Sequence, residues 1–492
     1  MKFLFKFTIS LLASSQALAL PTNDGTTEGL TKRDFVRSKL GPRVKDATSQ
    51  GFDKVRQFFG YLDDDKKDKH MFYCKFELRV INASDGVTAK FPRLRISARK
   101  DRLFANAYCQ FKGFYESRSK PQEDPIIIWF SGGPGESSVV EMFDIGPAVA
   151  TKDGKHTSKP LSWNNFANLM FIDNPIGAGF SYGKAVNYTS DAAKDIVPLL
   201  ERFFQDFPEY SKQPVHLTGS SYAGHWVPAF ADEIVRTNAK VNLKSISIGN
   251  GIMNSKIQYP YWIETICSKD SPYPRAKEEN CARMKAQLPD CMKQLKTCAA
   301  DPKNDLVCRQ ASEACDSLMD AGNVYGWDIR NPPFDHIESE ALDSLHCGQT
   351  WLGQDSTAKL FGAFGHDYST AEASNKLTGT GDSVIPYDQG LPRLLKKGIE
   401  ILRYAGDADY VCNWLGNKAL AESIQWDGKA EFGKTPMKSF SVESVSKPVG
   451  ETKSARGLLH FVRVFNAGHA VPIHQPQVAH DMMKAALSGK LK

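Results

Sequence analysis

The chain has 492 residues, of which 41% are apolar and 24% charged, with a formal net charge of +6. This is ordinary globular composition, and the length suits one large α/β unit with an insertion as well as it suits two domains. The charge is spread along the chain, which excludes the concentrated basic footprint of a nucleic-acid-binding protein.

At the N-terminus, Lys2 and Lys6 surround an apolar segment that runs to Leu12, followed by the small-residue cleavage pattern Ala17-Leu18-Ala19. This predicts a secretory signal peptide over residues 1–19. Residues 20–33 are polar and end in the dibasic pair Lys32-Arg33, which reads as the pro-segment of a zymogen. No later run approaches the roughly 20 apolar residues that span a bilayer, so no membrane span is expected. The sequons Asn82-Ala83-Ser84 and Asn187-Tyr188-Thr189 suit a glycoprotein of the secretory pathway.

Further along, β-branched and apolar runs end in glycine, aspartate or asparagine: Ile126 to Phe130, Leu169 to Asp173, Val215 to Thr218, and Ile246 to Asn250. Two more come late, Ile399 to Tyr404 and Phe461 to Phe465. Such runs, alternating with longer helical stretches such as Ala192 to Phe207, predict a mostly parallel central sheet flanked by helices, an α/β architecture. Residues 256–345 differ: they are charged, poor in strand signal, and hold Cys267, Cys281, Cys291, Cys298, Cys308 and Cys315 of the ten cysteines. The cluster lacks C-x2-C pairs and histidine, so after a signal peptide it reads as disulfides and not as a metal site. A disulfide-stapled helical cap insertion is therefore expected at 256–345, between two parts of the core at 50–255 and 346–492.

The chemistry begins at Val215-His216-Leu217-Thr218-Gly219-Ser220-Ser221-Tyr222-Ala223, a strand entering a tight turn and then a helix. That is the setting of a G-x-S-x-[GA] nucleophile elbow, with Ser221 in the nucleophile slot; alone, it reads more readily as a plain helix N-cap. A serine needs a base and an acid to orient that base. Asp407 and Asp409 leave the fifth run, and His469 leaves the sixth, giving the order Ser, Asp, His at the carboxyl ends of strands.

Together with SGGPGESS at 131–138, DNPIGAGFSYG at 173–183, GSSYAGHWVP at 219–228, YAGDADYVCNWLGN at 404–417 and NAGHAVP at 466–472, the chain resembles the serine carboxypeptidase family from Gly60 to near its C-terminus. The resemblance implies an α/β-hydrolase fold, with Ser221 as nucleophile, His469 as base and Asp409, three residues before Cys412, as its orienting acid. It implies an oxyanion hole from the backbone N–H groups of Gly133 and Tyr222, and the disulfides Cys267–Cys281, Cys291–Cys315 and Cys298–Cys308. Glu136 stands where the family has a cysteine whose partner position is Cys347, so Cys347, like Cys412, is expected to be free. No cofactor or metal is implied. The expected location is extracellular or vacuolar, with Asn187 glycosylated.

The departures concern substrate. The family holds a peptide's terminal carboxylate with an asparagine, a glycine and two glutamates; these positions read Ser131, Gly132, Asp144 and Ser220, and Ala470 replaces a methionine. Two close carboxyls share a proton and so favour carboxylate binding in acid, and Ser220 breaks that pair. The chain is therefore expected to act on peptides as a carboxypeptidase through an acyl-enzyme, with weakened preference for free C-terminal carboxylates and less acid dependence. The alternative is an esterase or acyltransferase using the same triad on acyl esters; a third is a non-catalytic paralogue.

One segment does not fit the resemblance. The family runs directly from a sequence like HxFYWFFES into the first core strand, whereas here residues 74–113 separate Tyr73 from Phe114. Cys74-Lys75-Phe76 can be encoded by a splice donor, Ala105-Asn106-Ala107 by a branch site and Lys112-Gly113 by an acceptor. Excision keeps the frame and leaves one tryptophan between Tyr73 and Phe114, so of two readings, a surface loop and translated intron, the second is favoured.

Overall fold

The computed structural model describes residues 53, 55, 57–64, 69–74, 112–273, 276–323, 329, 339–361, 363 and 368–491. The signal peptide, pro-segment, Asn82 and most of 74–113 lie outside them.

A parallel sheet forms where the sequence is most continuously apolar. Its strands β4 (Ile126–Phe130), β7 (Asn168–Ile172), β8 (Val215–Ser220), β9 (Leu243–Gly249), β10 (Glu400–Gly406) and β13 (Leu459–Val464) run in the order β13-β10-β9-β8-β4-β7. All five residues of β4 and of β7 are buried, as strands covered on both faces must be. Antiparallel strands flank this block. On one side are β12 (Gly450–Ala455) and β11 (Lys438–Phe440), and on the other β3 (Lys112–Tyr115), with β1 (Gln57–Asp64) and β2 (Lys69–Cys74) beyond; β5 (Ala148–Ala150) and β6 (His156–Ser158) form a separate hairpin. This is the α/β-hydrolase arrangement.

Helices α1 (Thr189–Asp206) and α2 (Ala223–Thr237) pack against each other, burying Ile196, Leu200 and Phe203 on the first and Trp226, Phe230 and Ile234 on the second. These side chains recur at helical spacing and join the core beneath β4 and β8. The insertion is helical where described. Helices Glu278–Ala300 and Asp305–Ala321 lie against each other, pinned by Cys291–Cys315 and Cys298–Cys308, while Cys267–Cys281 ties the first to the preceding helix Tyr261–Cys267. They bury a second apolar cluster, including Trp262, Met284, Leu295 and Leu318. No helix among the described residues is long and apolar enough to cross a membrane.

The first strands meet in an unusual way. In the ladders on β1, Gly60 pairs with Tyr73 and Phe58 with Phe114, while Phe59 is opposite both Cys74 and Gly113. Strands β2 and β3 also touch each other.

Candidate active site

Ser221 sits between the end of β8 and the start of α2, at φ +61°. A non-glycine residue seldom adopts this left-handed backbone, and its persistence at a strand-to-helix turn is the mark of a nucleophile elbow. The Ser221 N–H donates to the carbonyls of Gly249 at 3.1 Å and Asn250 at 3.2 Å, fastening the turn to the end of β9. A Cβ on Gly219 would lie 2.2 Å from the Phe130 carbonyl oxygen and 2.5 Å from Ala223 Cβ, so the motif's first glycine admits no side chain. The loop after β4 comes equally near: a Cβ on Gly132 would be 2.9 Å from both Ser221 Oγ and the Tyr222 amide nitrogen. The Gly-rich loop and the residue after Ser221 thus face each other across the serine hydroxyl.

Asp409 and His469 arrive on the loops after β10 and β13. Asp409 is fully buried, and its Oδ2 lies 2.7 Å from His469 Nδ1. Asn250 Nδ2 donates to the same oxygen at 2.7 Å and the Cys412 N–H to Oδ1 at 3.1 Å, so the carboxylate is held from three sides. With its Nδ1 proton on Asp409, the imidazole has Nε2 as its basic nitrogen. Asp407, the rival acid, is committed elsewhere: it accepts from Tyr273 Oη at 2.5 Å, the Asn466 N–H at 2.9 Å and Arg463 Nη2 at 3.2 Å. Cys412 Sγ, with Asp409 and His469, completes a group of ligand-type atoms within 4.8 Å of one another. Burial pushes this thiol well above its ordinary range, the Asp409 charge adds to the shift, and a hydrogen bond with Ser221 opposes it. A neutral thiol beside a carboxylate already saturated with donors makes a poor cation site.

The positions expected to hold a substrate's carboxylate fall around the same loop. Ser131, buried, accepts from Trp129 Nε1 at 3.3 Å and donates to Glu141 Oε1 at 3.2 Å. Glu141, on the 3₁₀ turn Ser138–Phe143, is a residue that motif reading missed. Burial raises its carboxyl well above the usual range, and the Asp144 carboxyl, which hydrogen-bonds with it, pushes the same way, with Glu136 adding a smaller push. An acid pair therefore exists here, built from Asp144 and Glu141. Ser220 is half-buried and pairs with Gly249, whose other ladder neighbour is Tyr404. The only sequence signal for Glu141 was an acid three residues before Asp144 on a turn.

Glu136 accepts from Gln349 Nε2 at 3.2 Å. The glutamate in a cysteine position thus reaches the helix that carries Cys347 by a hydrogen bond. Cys347 and Cys412 are both unpaired and buried. Asn187 is exposed, one residue before the N-terminal Tyr188 cap of α1.

A profile described as serine carboxypeptidase matches residues 110–489. Carboxypeptidase Y homolog A of Phaeosphaeria nodorum is 36% identical over 463 residues, covering 91% of this chain and 76% of that protein. The homologue of the same name from Uncinocarpus reesii is 36% identical, covering 92% and 78%. Among solved structures, Kex1(delta)p, a prohormone-processing carboxypeptidase from Saccharomyces cerevisiae, superposes with a TM-score of 0.66 at 21% identity over 89% of this chain and 93% of that one. The latter likeness is one of fold.

Proposed function

The chain belongs to the serine carboxypeptidase family, and from that premise we propose that it releases C-terminal residues from peptides through an acyl-enzyme on Ser221, with an altered site for the terminal carboxylate. The observation that carries this is the buried Asp409–His469 contact of 2.7 Å on the loops beside the strained Ser221 elbow. His469 Nε2 takes the Ser221 proton as Oγ attacks the scissile carbonyl. The oxyanion is received by the N–H groups of Gly133 and Tyr222, which lie on the two segments that meet at the serine hydroxyl. Such a donor is worth about 10² to 10³ in rate. His469 then protonates the leaving amine, and water repeats the sequence in reverse on the acyl-enzyme.

For recognition, Ser131 lacks an amide donor and Ser220 lacks a carboxyl, so preference for a free C-terminal carboxylate is weakened. What preference remains rests on Gly132 and on Asp144 paired with Glu141. These losses also favour a second reading, in which the same triad serves an esterase or acyltransferase. The signal-peptide pattern and the relatives' name support the secretory pathway, outside the cell or in the vacuole, as the site of action.

A fluorophosphonate should label Ser221 in the processed protein and fail to label Ser221→Ala; an unlabelled wild type would leave a non-catalytic protein. On a labelled enzyme, catalytic efficiencies for a peptide acid and its amide are expected to lie within a few-fold of each other. A strong preference for the acid overturns the altered clamp, and turnover of acyl esters alone overturns peptide release.

A further inference from the structure

We propose that Asp382 is a positioning residue for catalysis, acting through the side chain of Tyr222. The inference rests on the reading of Tyr222 as an oxyanion-hole residue and goes beyond it. Asp382 opens the 3₁₀ turn Asp382–Val384 and is fully buried. Its Oδ1 accepts from the Thr189 N–H at 3.0 Å and Tyr387 Oη at 2.6 Å; its Oδ2 accepts from Thr189 Oγ1 at 2.6 Å and Tyr222 Oη at 2.6 Å. Four donors occupy the two oxygens, and none comes from an arginine or lysine. The charge is instead met by hydroxyls and by the first N–H of α1, where the helix dipole also favours an anion.

What distinguishes this hub from an ordinary buried carboxylate is what it holds. Tyr222 is the residue after the nucleophile, where an elbow supplies an oxyanion-hole N–H. Its ring is fixed on its face by stacking on His225, centroids 4.3 Å apart and planes 11° from parallel, and at its tip by Asp382. Its amide is thereby held from the far end of its own side chain. Immediately before Asp382, Gly381 at φ +71° presses on the insertion: a Cβ there would lie 2.4 Å from the Cys308 carbonyl carbon. Asp382 therefore joins α1, the disulfide-bound helices and the oxyanion residue, so the seating of the insertion is coupled to the aim of one catalytic N–H.

Tyr222→Phe and Tyr387→Phe each remove one hydroxyl from the same carboxylate, but only the first touches the residue that carries the N–H. Both are made in the processed protein, with turnover normalised to active sites titrated by fluorophosphonate. A peptidyl boronate, which forms a tetrahedral adduct, is compared with an unreactive peptide analogue. Tyr222→Phe is expected to lower kcat about tenfold, part of the 10² to 10³ lost with a whole donor, and to weaken the boronate by a similar factor. KM and affinity for the unreactive analogue stay within about twofold, since the oxyanion exists only in the transition state. Tyr387→Phe lowers Tm by a similar amount yet leaves kcat and boronate affinity within about twofold. Equal effects of the two variants on kcat and on the boronate would overturn the proposal, leaving Asp382 a stabilising residue. A wild type that neither labels at Ser221 nor binds the boronate would overturn the catalytic reading itself, and this inference with it.

Discussion

At the level of single residues, the clearest tension lies between Ser220, which removed a carboxyl, and Glu141, which sits where one is available. Glu141 has its carboxyl raised well above the ordinary range by burial first and by Asp144 second. It therefore keeps its proton to a higher pH than a free glutamate, and a protonated carboxyl can donate to a substrate carboxylate. As pH rises through its raised value the proton leaves, and two like charges then face the incoming anion. KM for a peptide acid should rise with pH in the wild type and stay flat in Glu141→Gln, which is neutral throughout, while KM for the peptide amide moves in neither. A wild-type KM for the acid that is independent of pH would remove Glu141 from substrate binding. Ser221, Asp409 and His469 were legible in the sequence because each stands in a short motif at the end of an apolar run. Glu141 was not, because its meaning depends on reaching Ser131 across ten residues of folded loop, and no local pattern records that contact.

At the level of elements, the six parallel strands were legible because burial on both faces demands near-continuous apolar sequence. Strands β11 and β12 were not: Gly450–Ala455 reads GETKSA, with no apolar run to mark it, although it pairs with both β11 and β13. The ladders on β1 bear on the segment at 74–113. Phe59 already has Cys74 and Gly113 as alternative partners, so one residue joining Tyr73 to Phe114 keeps the pairing frame set by Gly60 with Tyr73 and Phe58 with Phe114. The intron reading supplies one residue, a tryptophan. A chain with that single Trp in place of 74–113 is expected to fold, with Tm no lower than the full chain and full fluorophosphonate labelling. Peptides from 76–110 found in the protein purified from its natural host would refute the intron reading.

The insertion carries its own pH response. Asp316, on the helix Asp305–Ala321, is pushed up to about 7 by burial, with Asp320 and Glu313 adding to the shift. A carboxyl raised in the folded state binds its proton more tightly there than in the unfolded chain, where it titrates near 4. The stability it contributes is whole below about pH 4 and is lost as pH rises through about 7. Asp316→Asn should gain in Tm relative to the wild type between pH 4 and pH 8, and parallel curves over that range would contradict the assignment.

For the molecule as a whole, the sheet gathers the site by bringing the ends of β4, β8, β9, β10 and β13 to one edge, where open α/β sheets place their chemistry. The topology explains why residues as distant as Gly132, Ser221, Asp409 and His469 come together. Asp173 follows the same trend as Asp316: burial lifts it to about 7, although Ser137 Oγ and the Phe180 N–H donate to it at 2.6 and 3.0 Å. The buried His216, held down to about 4 by desolvation, works in the opposite sense and loses stability as pH falls below about 6.5. Over roughly pH 4 to 7 the carboxyls and the histidine therefore pull the stability of the fold in opposite directions.

The Thr189 hydroxyl that Asp382 holds is also the third residue of the Asn187 sequon. Transferases that glycosylate asparagine read that hydroxyl, and in the folded protein it is fully buried. Asn187 stays exposed, but its sequon is complete only while α1 has not yet docked on Asp382. If Asn187 is glycosylated, its sugar has to arrive before that docking, and the fraction of molecules carrying it would record how long each newly made chain took to close.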